Sequence, residues 1–122
     1  MNDHLQKGWY ALNDNIREKD WKLVRDLQGE ALNTACDRIL QKVAALAESR
    51  GSENHKSYNK LWKLMEQEDE QISLMFDDFK RSNAVFKLAM WKKNALLSDK
   101  VFDNLTEETR ERVRVLNHMS TR

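Results

Sequence analysis

The strongest constraint on what this chain can fold into is a rhythm of apolar residues spaced alternately four and three apart. It is clearest where Leu61, Met65, Ile72, Met75, Phe79, Phe86 and Ala89 keep register, with Glu68 and Ser82 at the intervening positions. A 3.6-residue turn brings such positions to one face, so the spacing specifies amphipathic helix and does not fit the two-residue alternation of a strand. Proline is absent and glycine occurs only at Gly8, Gly29 and Gly51, so helix breakers are nearly missing.

The same rhythm divides the chain into helices. Leu5, Trp9, Leu12 and Ile16 predict a first helix over 3–18. Asp20 is placed to cap a second over 21–49, whose stripe is Val24, Leu27, Ala31, Ala35, Ile39, Val43 and Leu46, with Gly51 as its stop. Gly29 lies inside it at a cost of about 1 kcal/mol against alanine. A third helix over 56–97 would reach roughly 60 Å, well beyond the second. It must therefore bend, with Ser82-Asn83 the weakest point, or find a further partner for its far end. Leu105-Thr106-Glu107-Glu108 resembles a capped helix start, and Val113, Leu116 and Met119 extend it as a short helix over 107–118 that could be that partner. The expected architecture is all-α: an antiparallel helical hairpin or bundle of three main helices plus a short C-terminal helix. It is read as one domain over 1–122, with its core in about 3–97 and the segment 98–122 free to move against it.

Little in the sequence points to chemistry. His4, His55 and His118 have no second His or Cys at helical spacing, so no metal site and no cofactor is expected. The Glu-x-x-His pairs that hold di-iron centres in bundles are missing. Glu66, Glu68, Asp69 and Glu70 lack a basic partner and read as a solvated face. No phosphate-binding glycine loop or activated nucleophile is present, so the chain is not read as an enzyme. Cys36 stands alone and reads as a small helix-packing residue; a lone cysteine, with no long apolar run, points to the cytoplasm and away from membranes. A net charge of +1 gives no field that would draw the chain to nucleic acid.

Two features point instead to protein binding. Between Leu64 and Phe79 lie six acids and no Lys or Arg; beyond it come Lys80, Arg81, Lys87, Lys92, Lys93 and Lys100, with only Asp99 against them. This is either a helix charged in keeping with its dipole or a pair of patches that steer a partner into register. The arc from Ile72 to Met90 is also wider than one neighbouring helix covers. Ile72, Met75, Phe76, Phe79, Phe86 and Met90 are the candidate partner-binding face, since Met and Phe suit adaptable recognition of an amphipathic helix. The segment from about 104 onward is able to cover part of that face. A second copy of the chain is an alternative occupant.

The segments Asp20-Trp21-Lys22-Leu23-Val24-Arg25-Asp26-Leu27 and Leu64-Met65-Glu66-Gln67-Glu68-Asp69-Glu70-Gln71-Ile72 resemble the openings of two helices in the FliT-type flagellar export chaperones. The chain departs from that family in carrying Ala95-Leu96-Leu97 where a small residue and Tyr often close the long helix. The resemblance implies a small, cytoplasmic helical chaperone of bacterial flagellum biogenesis, holding the C-terminal region of a filament-cap subunit before export, whereas a dimer or a monomer–dimer mixture is expected from the wide arc between Ile72 and Met90. The resemblance also implies contacts with the export machinery or a flagellar regulator. The residues alone imply a helical partner-binding protein, with a self-associating regulatory or adaptor protein, nucleic-acid linked, as the competing reading.

Overall fold

A computed structural model describes residues 16–120. The helix predicted over 3–18 lies outside the described residues except for Ile16, Arg17 and Glu18, of which Ile16 and Arg17 are non-helical. Among the described residues the chain forms five α-helices, one 3₁₀ turn and no strand. They are α1 (Glu18–Glu48), α2 (Asn54–Phe76), the turn Arg81–Asn83, α3 (Ala84–Lys93), α4 (Asp99–Asp103) and α5 (Glu107–Ser120).

Glu18 and Asp20 put negative charge in the first turn of α1, at the positive end of the helix dipole. The helix ends at Ser49, whose N–H donates to Ala45 O at 3.0 Å. Gly51 follows in the loop without a positive φ, so the left-handed glycine stop expected there is not used. α2 then lies along the outer half of α1, where Lys42 Nζ meets Glu68 Oε1 at 2.7 Å.

The long helix predicted over 56–97 is broken. α2 stops at Phe76, Asp77 is extended, and Asp78 takes φ 55 before the turn at Arg81–Asn83. The break falls just before the Ser82-Asn83 weak point, in a run of short polar residues, of which Asn83 bonds the backbone locally through its side chain. Ser73 Oγ donates to Asp77 Oδ2 at 2.5 Å, Asn83 Nδ2 to Asp78 O at 2.7 Å, and Lys80 N–H to Asn83 Oδ1 at 3.0 Å. Two acids at the negative end of α2 also oppose its continuation.

Folding back gives α3 a second task. Trp91 Nε1 donates to Met75 O at 3.0 Å and Lys87 Nζ to Leu74 O at 2.7 Å, which satisfies carbonyls that the last turn of α2 leaves open. Trp91 is fully buried and stacks on Phe76 with centroids 5.5 Å apart. The end of α3 is closed by Leu96 N–H to Trp91 O at 2.8 Å around Ala95 at φ 56, with Arg38 donating to the carbonyls of Asn94 and Ala95, both at 2.7 Å.

Ser98 caps α4 by accepting from Val101 N–H at 3.2 Å, a helix absent from the sequence expectation. α5 packs on α3 through Val113, so the C-terminal segment does cover the far part of the predicted long helix. Asp20 does not cap its own helix: it is fully buried at the start of α5. It accepts from Thr106 N–H at 3.1 Å and from the hydroxyls of Thr106 and Thr109, both at 2.6 Å. The core therefore sits at one end, between the inner half of α1, the last turn of α2, and α3 to α5.

Candidate protein-binding surface

The predicted face is taken apart by the break at 77–80. Met75 and Phe76 are core residues. Phe79 is half-buried between Trp21 and Trp91, at centroid distances of 5.2 and 5.6 Å. Met90 packs half-buried against the core and Phe86 stands 46% exposed on α3. Ile72 is half-buried and lines a groove on the outer helices. The six residues thus do not share one surface, because a stripe that is continuous in sequence loses its register where the helix stops.

The structure opens a different apolar surface. No described residue between Ile39 and Met75 is buried, so among the described residues the outer parts of α1 and α2 project beyond the core as two helices without a third. Val43, Leu46, Leu61 and Leu64 are half-buried, as residues of a two-helix seam would be. Beside them Leu40 is 66% exposed, and Tyr58 and Trp62 are each 55% exposed. Tyr58, Trp62, Met65, Asp69 and Ile72 follow one another at spacings of four and three, which sets them on one side of α2. Leu40 of α1 faces Met65, the innermost exposed apolar residue of that row, across a groove of about 250 Å³ floored by Cys36, Ile39 and Ile72 and edged by Glu68 and Asp69.

The rings are organised among themselves. His55 stacks over Tyr58 at 6.5 Å, and Tyr58 meets Trp62 edge-on at 6.3 Å. An aromatic row with this much of its area in water is an unusual surface for a charged helix, since burying one such ring is worth about 2 kcal/mol or more. The signal was present in the sequence as a second stripe at the same spacing, Tyr58-Trp62-Met65, beside the one that begins at Leu61, but a pattern does not reveal which helix lacks a neighbour.

Charge around the row changes sign along α2. Lys56, Lys60 and Lys63 are exposed toward the loop, and Glu66, Asp69 and Glu70 are exposed toward the core. At the other end of the molecule charge is used for packing: the hydrogen bonds that Arg114 donates to the Glu107 and Glu111 carboxylates hold its guanidinium above its ordinary pKa, and it lies 5.7 Å from the Phe102 ring centre.

Among the described residues no group of three or more His, Cys, Asp or Glu is gathered to hold a metal ion. No described helix is long and apolar enough to cross a membrane. No family model, curated protein or solved structure matches the chain.

Proposed function

We propose that the chain is a non-enzymatic protein-binding module whose working part is the antiparallel hairpin of α1 and α2, docking a helix of another protein along its outer half. The observation that carries this reading is the open row of Leu40, Tyr58, Trp62 and Met65 beside an apolar groove. Ring-rich, preformed surfaces of this kind bind helices through a few anchors, with surrounding charges fixing orientation. The resemblance in sequence to FliT-type export chaperones adds a candidate partner, the C-terminal region of a filament-cap subunit, in the cytoplasm of a flagellated cell. Phe86 and Met90 on α3 are kept as secondary contacts, whereas Met75 and Phe76 act by holding the break.

The test is titration of the purified chain with such a C-terminal region, comparing wild type with Trp62→Ala and Phe86→Ala. Trp62→Ala is expected to weaken binding about tenfold or more, the usual loss for an aromatic anchor. Phe86→Ala should have the smaller effect. Binding that Phe86→Ala abolishes and Trp62→Ala leaves unchanged would move the surface to α3; absence of binding would end the chaperone reading.

A further inference from the structure

The charge that faces the row is of one sign. Successive residues of a helix are turned by about 100°, so Lys56, Lys60 and Lys63 each stand about 100° or more from every member of the row Tyr58, Trp62, Met65, Asp69 and Ile72. Asp69 belongs to the row and lines the groove, and Glu66 stands about 40° round α2 from Trp62. Glu68, the other acid at the groove, is matched by Lys42 Nζ at 2.7 Å. Asp69 and Glu66 are exposed and form no ion pair among the described residues. On α1, Cys36, Leu40, Val43 and Ala47 follow at spacings of four and three along the same side and bring no base to it.

The side of the hairpin that holds the row therefore joins apolar area to negative charge that no described base offsets. Charge complementarity then selects the occupant. A base laid opposite Asp69 meets a carboxylate beside a groove from which water is displaced, whereas an acid there meets two uncompensated carboxylates. A second copy seated through the same face would bring only further acids. The whole chain carries a net charge of +1, so attraction of a basic helix is a property of this face and not of the molecule.

We infer that the row takes an amphipathic helix whose apolar stripe is bordered by lysine or arginine, with one such base two turns from the side chain that seats on Trp62. The spacing follows from Asp69, which lies seven residues, or about 10 Å, along α2 from Trp62. This rests on reading the row as the docking surface for a helix of another protein, and it names the chemistry of that helix. Trp62 and its neighbours supply affinity, and Asp69 with Glu66 selects for base over acid.

The experiment is calorimetric titration of the chain with two synthetic helical peptides that share one leucine stripe, at spacings of three and four, and carry either lysine or glutamate at the bordering positions. Wild type is compared with Trp62→Ala, Asp69→Lys and Glu70→Lys. All three substitutions are at exposed positions, so helicity and unfolding midpoint serve as the check on folding. Wild type is expected to bind the lysine peptide about tenfold or more tighter than the glutamate peptide. Trp62→Ala should weaken the lysine peptide about tenfold or more. Asp69→Lys should remove most of the preference. Glu70→Lys makes the same change of charge about 100° farther round α2 and should leave most of it. A glutamate peptide bound as tightly as the lysine peptide, with binding still lost in Trp62→Ala, overturns the basic partner while the row remains a docking surface. Equal loss of preference in Asp69→Lys and Glu70→Lys overturns the pairing at Asp69. Binding of neither peptide, or binding indifferent to Trp62→Ala, overturns the row itself as the docking surface.

Discussion

Asp20 joins two ends of the chain through a single carboxylate. It is 0% exposed, and its three hydrogen bonds all go to the start of α5, some 86 residues away at Thr106. Local reasoning assigns it to the start of its own helix because Asp is a good N-cap there. The residue does serve a helix N-terminus, but that of α5, which no local pattern could identify. Removing the carboxylate leaves two hydroxyls and an N–H without their partner, so Asp20→Ala is expected to lower stability by about 2–3 kcal/mol. Urea unfolding monitored by circular dichroism measures this; a loss below about 0.5 kcal/mol would show that the contact is dispensable. Two backbone positions act in the opposite direction. Ala95 holds the left-handed position that ends α3, at φ 56, where a side chain costs about 1 kcal/mol. Ala95→Gly should therefore stabilise by up to about that amount. A Cβ added at Gly29 meets nothing within 4 Å, so Gly29→Ala should stabilise by about 0.5–1 kcal/mol. Destabilisation by either substitution, read in the same unfolding curves, would mean that the local backbone or its surroundings differ from this description.

Among the elements, α1 and α5 were legible because their stripes are continuous and their first turns are acidic. α2 and α3 were read as one helix because the rhythm runs through the break without a skipped beat, from Met75 to Phe79 and on to Phe86. What ends α2 is the combination of Asp77, Asp78 and Asn83 with the carbonyls that Trp91 and Lys87 come back to satisfy. Only the first half of that combination is local. α4 was missed because a five-residue helix is too short to show a period, although Ser98 before Asp99 is a usable capping signal. The candidate surface was half legible: the rhythm gave an excess of apolar face, and Ile72 is common to the expected and observed surfaces, but the break moved Met75 and Phe76 into the core. The unequal burial of the elements has a dynamic consequence. Amides of residues 40–48 and 54–68 should exchange with solvent through openings of lower free energy than those of α3, whose Leu88 and Trp91 are fully buried. Native-state hydrogen exchange on the chain at low concentration and without a partner checks this, and equal protection of the two regions would contradict it.

At the scale of the whole molecule, the proposed reading separates support from use. Its core end is built from α3 to α5 folded against the inner half of α1, with helix termini closed by side chains from other elements: Trp91, Lys87, Arg38 and Asp20. The outer end carries no buried residue among those described, and beyond the half-buried seam of Val43, Leu46, Leu61 and Leu64 its apolar side chains lie at the surface. A protein that needed Trp62 for folding would bury it; one that needs it for binding leaves it in water until a partner arrives. The two roles are told apart by measuring thermal unfolding and association together on Trp62→Ala. The expected result is an unfolding midpoint of the dilute chain within a few degrees of wild type, together with loss of association; a variant that unfolds early while associating as wild type does would contradict the account.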